Sequence, residues 1–133
     1  MRLVAIPLDR HEATTPLWLP FLPRIAQRSH ENVADLIGQI ARREVRLVLV
    51  MDGKQAKALI GVRIHDMGGK ICGDMIWLAG FDREQWQQLL PELEQMLRDA
   101  GCTMCRPICR PGWSRYLKTR GYRLRHVIME KPL

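Results

Sequence analysis

The apolar positions change period several times along the chain, and each change marks a new element. Leu3 to Ile6 form a short apolar run that stops at Pro7. A first strand over Arg2–Leu8 is expected, at an edge or leaving the sheet early, because proline cannot donate to a ladder. From Thr15 the spacing becomes helical, with Pro16 tolerated in a first helical turn. Trp18, Phe21, Leu22 and Ile25 share one face although Pro20 and Pro23 interrupt it, so a broken or restarted helix is expected over Pro16–Gln27. Val33, Leu36, Ile37, Ile40 and Ala41 fit the i, i+3, i+4 template without a miss and predict a second helix from about Glu31 to Arg43.

Then the period switches to that of strands. Val45–Met51 is almost continuously apolar and is followed by Asp52-Gly53, a strong hairpin signal. Its partner runs from Gln55 to Ile64. Asp66-Met67-Gly68-Gly69-Lys70 makes a second turn into a third strand, Ile71–Ala79, and the three should form an antiparallel meander. Asp82 is expected to cap the next helix, with Gln85 three residues on. Trp86, Leu89, Leu90, Leu93, Met96, Leu97 and Ala100 mark its buried face. Pro91 should kink or divide that helix, since a mid-helix proline costs about 3 kcal/mol. Gly101 is its stop. A strand over Cys102–Ile108 follows, closed by Pro107 and Pro111. Trp113, Tyr116 and Leu117 then mark a short helix that ends at Gly121, and Tyr122–Glu130 is expected as a last strand. The predicted order is β-α-α-β-β-β-α-β-α-β, with no repeat, linker or low-complexity tract.

Composition narrows the class. With 133 residues, 47% apolar and 26% charged, the chain suits one domain, 1–133, with a core that needs no staples. No apolar run is long enough for a membrane span, and the N-terminus lacks a signal peptide's apolar stretch, so cytoplasmic synthesis is expected. The charge is uneven. Gly101–Leu133 holds eight Lys or Arg against Glu130 alone, a local +7 that equals the balance of the whole chain. An anionic or acidic partner is therefore expected to meet this end. Cys102, Cys105 and Cys109 form C-x2-C-x3-C. No second Cys or His pair completes a zinc knuckle, and two of the three would point to opposite faces of a strand. Buried free thiols of a reducing compartment, rather than a metal, are the expectation for these and for Cys72.

This element order, together with Arg115-Tyr116-Leu117-Lys118-Thr119-Arg120-Gly121-Tyr122 and the closing Glu130-Lys131-Pro132-Leu133, resembles the GNAT superfamily of acetyltransferases. Asp99-Ala100-Gly101-Cys102 is similar to that family's turn out of its long helix. Arg110-Pro111-Gly112-Trp113 resembles the same point in short GNAT-like proteins of bacteriophages. The resemblance implies an α+β fold layered α/β/α, with a mixed, mostly antiparallel sheet of about six strands and helices on both faces. It also implies a V-shaped opening between the fourth and fifth strands that takes acetyl-CoA, with the pyrophosphate on amides at the start of the long helix. The implied cofactor-binding positions are Trp77, Ala79, Arg83, Arg106 and Arg110.

Two departures matter. The family's glycine-rich phosphate turn falls on Gly80-Phe81-Asp82-Arg83-Glu84-Gln85, which keeps one glycine and adds two acids. As a cap, the Asp82 carboxylate should occupy the amides that a pyrophosphate needs. The family's tyrosine acid falls on Leu117, leaving Tyr116 and Ser114 as substitutes that also read as core aromatic and helix-start hydroxyl. Candidate bases in the meander are His65, Asp66 and Asp74, the last a carboxylate in an apolar strand.

Three functions compete on this reading. The first is a non-catalytic GNAT-fold component of phage type, virion-associated or ejected, with no cofactor, meeting other proteins of an assembly. The alternative is an acetyl-CoA-dependent N-acetyltransferase using Asp74, Tyr116 and Ser114. The third is nucleic-acid binding through a basic face of Arg106, Arg110, Arg115, Lys118, Arg120, Arg123 and Arg125, with Trp113 and Tyr116 stacking on bases.

Overall fold

The computed structural model describes residues 1–133. Its centre is the expected meander: β2 (Arg46–Asp52), β3 (Gln55–Met67) and β4 (Lys70–Gly80), all antiparallel. Gly53 at φ +60° makes the first hairpin, and Gly68 and Gly69 make the second. β1 (Arg2–Ala5) adds antiparallel to β2, and β5 (Met104–Pro107) adds parallel to β4, giving the order β1-β2-β3-β4-β5. The run Leu47–Met51 is apolar throughout because both faces of β2 are covered. Leu47, Leu49 and Met51 enter one core, and Val48 and Val50 enter the other.

The first core is closed by α1 (Thr15–Trp18), α2 (Leu22–Gln27) and α3 (Val33–Ala41). The prolines divide the first two as expected: a 3-10 turn, Leu19–Phe21, joins them, and Trp18, Phe21, Leu22 and Ile25 are all buried. Asn32 caps α3 reciprocally with Asp35, each side chain accepting the other's backbone N–H at 2.8–2.9 Å. The second core lies under α4 (Arg83–Trp86) and α5 (Leu90–Asp99), which a 3-10 turn at Gln87–Leu89 separates. Pro91 sits in the first turn of α5, so the helix is divided where the missing N–H costs least. α6 (Ser114–Thr119) completes that side.

One irregularity in β4 decides which residues face which core. Gly61 pairs with Trp77 and the next residue, Val62, pairs with Met75, so Ile76 is an extra residue in β4. The bulge resets the alternation: Met75 enters the α5 core while Trp77 and Ala79 enter the α1–α3 core. A side chain at Gly61 would lie 2.6 Å from the Trp77 ring, so the bulge requires glycine there.

The sixth strand is not formed. Tyr122–Leu133 lies outside the sheet, with Leu124, Val127, Ile128 and Met129 exposed, and the sheet has five strands. β5 is only four residues long and ends in proline, which leaves few ladder bonds for a neighbour. The segment's polar anchors are Tyr122, whose hydroxyl donates to Glu94 at 2.7 Å, and Glu130, 2.7 Å from His30.

Candidate functional site: the opening between β4 and β5

β4 outlasts its parallel neighbour. Their last ladder pair is Met75 with Pro107, followed by one bond from the Ile108 N–H to the Met75 carbonyl at 2.9 Å. Pro107 and Pro111 break the edge of the departing chain. β4 continues to Gly80 paired with β3 alone, so a wedge opens between it and the chain leading to α6. On the α4–α5 side the wedge is an apolar slot lined by Met75, Leu78, Trp86, Leu90, Pro107 and Trp113. Trp113 packs on Trp86 with ring centroids 5.4 Å apart, and Arg83 lies 5.2 Å over Trp113. The space left is about 20 Å³, room for about one water molecule.

The start of α4 overturns the expectation for Asp82. That residue is left-handed (φ 53°, ψ 45°), and its side chain makes no capping hydrogen bond. Its carboxylate instead lies 3.7 Å from Lys57 Nζ. The neighbouring Phe81 explains the displacement: its N–H donates to the Lys57 carbonyl at 2.8 Å, and its ring packs on Phe21 and under Arg24. That anchoring turns the chain at Asp82 before the helix begins. The first turn of α4 has no side-chain cap, the Gln85 N–H donating to the Asp82 carbonyl at 2.8 Å, and an open depression of about 260 Å³ is lined by Asp82, Arg83, Glu84 and Gln85.

At the apex of the wedge lies a charged cluster. Asp74 of β4 is opposite Arg63 on β3 and Arg106 on β5. It is buried, and His65 Nε2–H donates to its Oδ2 at 2.8 Å, which fixes the ring tautomer. Arg106 Nε is 3.3 Å from Oδ1, close enough for an ion pair but misaligned, so Oδ1 accepts no hydrogen bond. The His65 and Arg106 side chains are about one third exposed, so the cluster reaches solvent through them. Cys72 stands beside the pair, and the ligand atoms of His65, Cys72 and Asp74 lie within 4.8 Å of one another. Cys102, Cys105 and Cys109, the cysteines of the spaced motif, do not form such a group. Asp66 has a turn role instead: its carboxylate accepts the Gly69 N–H at 2.9 Å.

The hydroxyl candidates lie on the other side. The Tyr116 hydroxyl donates to the Gln87 carbonyl at 2.9 Å, with Arg120 over its ring. Ser114 starts α6 and is half-buried. Trp77 and Ala79 bury their side chains in the α1–α3 core, leaving their main chain at the wedge. Tyr122 and Cys105, which carried no role in the sequence reading, are a coupled pair. The Tyr122 hydroxyl points its proton toward two acceptors, the Glu94 carboxylate at 2.7 Å and the Cys105 sulfur at 3.2 Å. Burial first pushes the Cys105 thiol up, to about 11, against the opposing Tyr122 bond. Burial also raises the Tyr122 hydroxyl well above its ordinary value.

The basic positions are split between elements. Arg106 serves Asp74, and Arg110 is exposed on the chain leaving β5. Arg115, Lys118 and Arg120 are exposed on or just beyond α6, and Arg123 and Arg125 on the C-terminal segment. Arg24, which donates to the Gly80 carbonyl at 3.0 Å, carried no signal in the sequence, since nothing along the chain ties α2 to the end of β4. No helix is long and apolar enough to cross a membrane.

No protein-family model and no curated protein matches the chain. Solved structures do. A ribosomal-protein-alanine N-acetyltransferase from Brucella melitensis superposes with TM-score 0.68 at 11% identity, covering 100% of this chain and 99% of that one. A GCN5-related N-acetyltransferase from Ralstonia eutropha gives 0.65 at 13%, covering 99% and 97%. A glucosamine-6-phosphate N-acetyltransferase from Arabidopsis thaliana gives 0.64 at 12%, covering 98% and 97%. The strand order, the wedge beyond Met75 and these end-to-end superpositions lead to one conclusion: the chain has the fold of the GCN5-related N-acetyltransferases.

Proposed function

We propose that the chain is an acetyl-CoA-dependent N-acetyltransferase. The observation that carries this reading is the wedge itself: unpaired β4 main chain, a start of α4 without a side-chain cap, and the Asp74–His65 pair at the apex. The donors present fit the group. The first amides of α4 would meet its diphosphate, Lys57 draws the Asp82 charge aside, and Arg83 stands at the same turn. The main chain of β4 from Trp77 to Gly80 would hold its extended arm. When bound, acetyl-CoA supplies an activated acetyl thioester.

The chain's own residues do the rest. Asp74 holds the Nε2–H of His65, so Nδ1 is the nitrogen open to take a proton from an acceptor amine. The buried carboxylate then stabilises the imidazolium that forms. Tyr116 has its proton engaged on Gln87, so Ser114 is the α6 hydroxyl left to hydrogen-bond a departing thiolate, which takes its proton from solvent. Because the slot has room for little more than a water molecule, an acyl chain can enter only when Trp113 moves off Trp86. Gly112, next to it in a three-residue turn, makes that movement cheap.

The test is binding followed by turnover. Acetyl-CoA at about 100 times its Kd should stabilise the fold by about 2.7 kcal/mol and change tryptophan fluorescence. Thiol release with an amine panel should fall about 10²–10⁴-fold in His65→Ala and Asp74→Asn while binding persists. No stabilisation at millimolar acetyl-CoA overturns the proposal.

The closed slot and the engaged Tyr116 favour a second reading, a non-catalytic component of an assembly such as a phage particle. Acetyl-CoA that fails to bind even to Trp113→Ala, where the slot is emptied, would support it.

A further inference from the structure

The face of the meander that carries the base also carries a thiol. His65 is directly opposite Cys72 in the β3–β4 ladder, and Asp74 is two residues beyond Cys72. Opposed residues share a face, and so do residues two apart in a strand, so all three side chains project from one side. The Ile76 bulge lies past them and leaves their alternation intact. A ring nitrogen, a sulfur and a carboxylate oxygen therefore lie within 4.8 Å of one another on two hydrogen-bonded strands. Cys72 and Asp74 are buried, and the His65 side chain, one third exposed, opens the group to solvent.

Base catalysis uses only part of this arrangement. A carboxylate behind the imidazole is enough to fix its tautomer, and no step needs the sulfur. The buried Asp74 Oδ1 accepts no hydrogen bond, so the cluster keeps an unanswered acceptor. Three protein ligands of nitrogen, sulfur and oxygen type with one water make a tetrahedral zinc site, whose bonds of about 2.0–2.3 Å set the ligand atoms about 3.5 Å apart. The spacing here brackets that value. His65 and Asp74 stand at 2.8 Å and would part slightly, and Cys72, within 4.8 Å of both, would close in. Arg106 narrows the choice of ion. Its Nε is 3.3 Å from Oδ1 and its Nη1 donates to the Met67 sulfur, so the Asp74 charge is already balanced. An entering cation needs a further counter-charge, which Cys72 supplies by giving its proton to solvent. Magnesium and calcium seek oxygen ligands, whereas zinc gains from a thiolate.

We propose that His65, Cys72 and Asp74 bind a divalent cation of the zinc type through Nε2, Sγ and a carboxylate oxygen, and that the ion switches the base off. Nε2 can ligate only when its proton moves to Nδ1, and Nδ1 is the nitrogen that must stay open to accept the proton of an amine. The ion site is independent of the acyl-transfer reading, and only the inhibition rests on it. The probes are zinc and cobalt(II), added to the full chain purified without a histidine tag and cleared of metal with a chelator. Calorimetry should show one zinc per chain, weakened about tenfold or more in Cys72→Ala and in His65→Ala, and unchanged in Cys109→Ser. Cobalt(II) should give a thiolate charge-transfer band that Cys72→Ala removes. A cobalt complex without that band overturns the proposal, as does zinc binding that survives Cys72→Ala and falls in Cys109→Ser. No zinc binding at submillimolar concentration also overturns it, whatever acetyl-CoA does.

With turnover in hand, the readout is the acetylated amine, because zinc also takes up free CoA thiol. Saturating zinc should slow its formation about tenfold or more, and chelator should restore the rate. The ratio of rates with and without zinc should return toward unity in Cys72→Ala. Zinc bound at these residues with turnover undiminished overturns the inhibition. Zinc bound by a chain that gives no response to acetyl-CoA sinks the acyl-transfer reading and leaves the ion site standing.

Discussion

At the residue scale, the decisive facts are where single protons and charges are held. His65 was one of three candidate bases in the meander, and the fold brings it to Asp74 by pairing β3 with β4 in a register that puts both on one face. A pH-rate profile should separate chemistry from scaffolding: His65→Gln should lose the acidic limb of kcat/KM, whereas a purely structural residue would leave the limb and lower the amplitude. Cys105 gives a second test. Its folded value of about 11 lies above the ordinary 9.0, so the folded chain keeps the thiol neutral where the unfolded chain ionises. That stability is complete below pH 9 and is lost as pH rises from 9 to 11, by an order of 2 kcal/mol. Tyr122 acts in the same direction, because its hydroxyl also resists ionisation. Denaturant midpoints measured from pH 8 to 11 should fall less steeply in Cys105→Val.

At the element scale, prolines and glycines placed the breaks, and the packing used them. Pro91 was expected to kink or divide the long helix, and it starts α5 after a 3-10 turn. Asn32 was not singled out in the sequence, yet it makes the reciprocal cap of α3 with Asp35. Replacing it with alanine should cost about 1 kcal/mol in chemical denaturation. Gly61→Ala should cost more, about 1–3 kcal/mol, because the added carbon meets the Trp77 ring across the bulge. The same bulge could not be read along the chain, since Met75, Ile76 and Trp77 are all apolar and any alternation fits them. Asp82 shows a related limit. An aspartate before a helix reads as a cap, but here Phe81 is drawn into contact with Lys57, Phe21 and Arg24, and the carboxylate follows Lys57 instead.

At the scale of the whole molecule, stability comes from two cores on a shared sheet. Leu36 is fully buried in the α1–α3 core, and Leu36→Ala should lower the unfolding free energy by about 2–5 kcal/mol. The C-terminal segment behaves differently. With Leu124, Val127, Ile128 and Met129 exposed, removing residues 124–133 should change stability by about 0.5 kcal/mol or less. A collapse of the fold on that truncation would mean that the segment does pair with β5.

Local pattern alone determined the element order from Arg2 to Thr119, the meander and both helix divisions. Each of these follows from short-range periodicity, turn chemistry and the missing N–H of proline. Tertiary structure alone decided three other things. It left the last strand unpaired, because strand formation depends on the length of a neighbour. It turned the Asp82 carboxylate away from the helix start, because Phe81 is anchored on a neighbouring strand and Lys57 of that strand faces the charge. And it set His65 against Asp74 with Arg106 beside them, charges drawn from three strands. Electrostatic groupings of that kind depend on distance through space, and distance along the chain does not encode it.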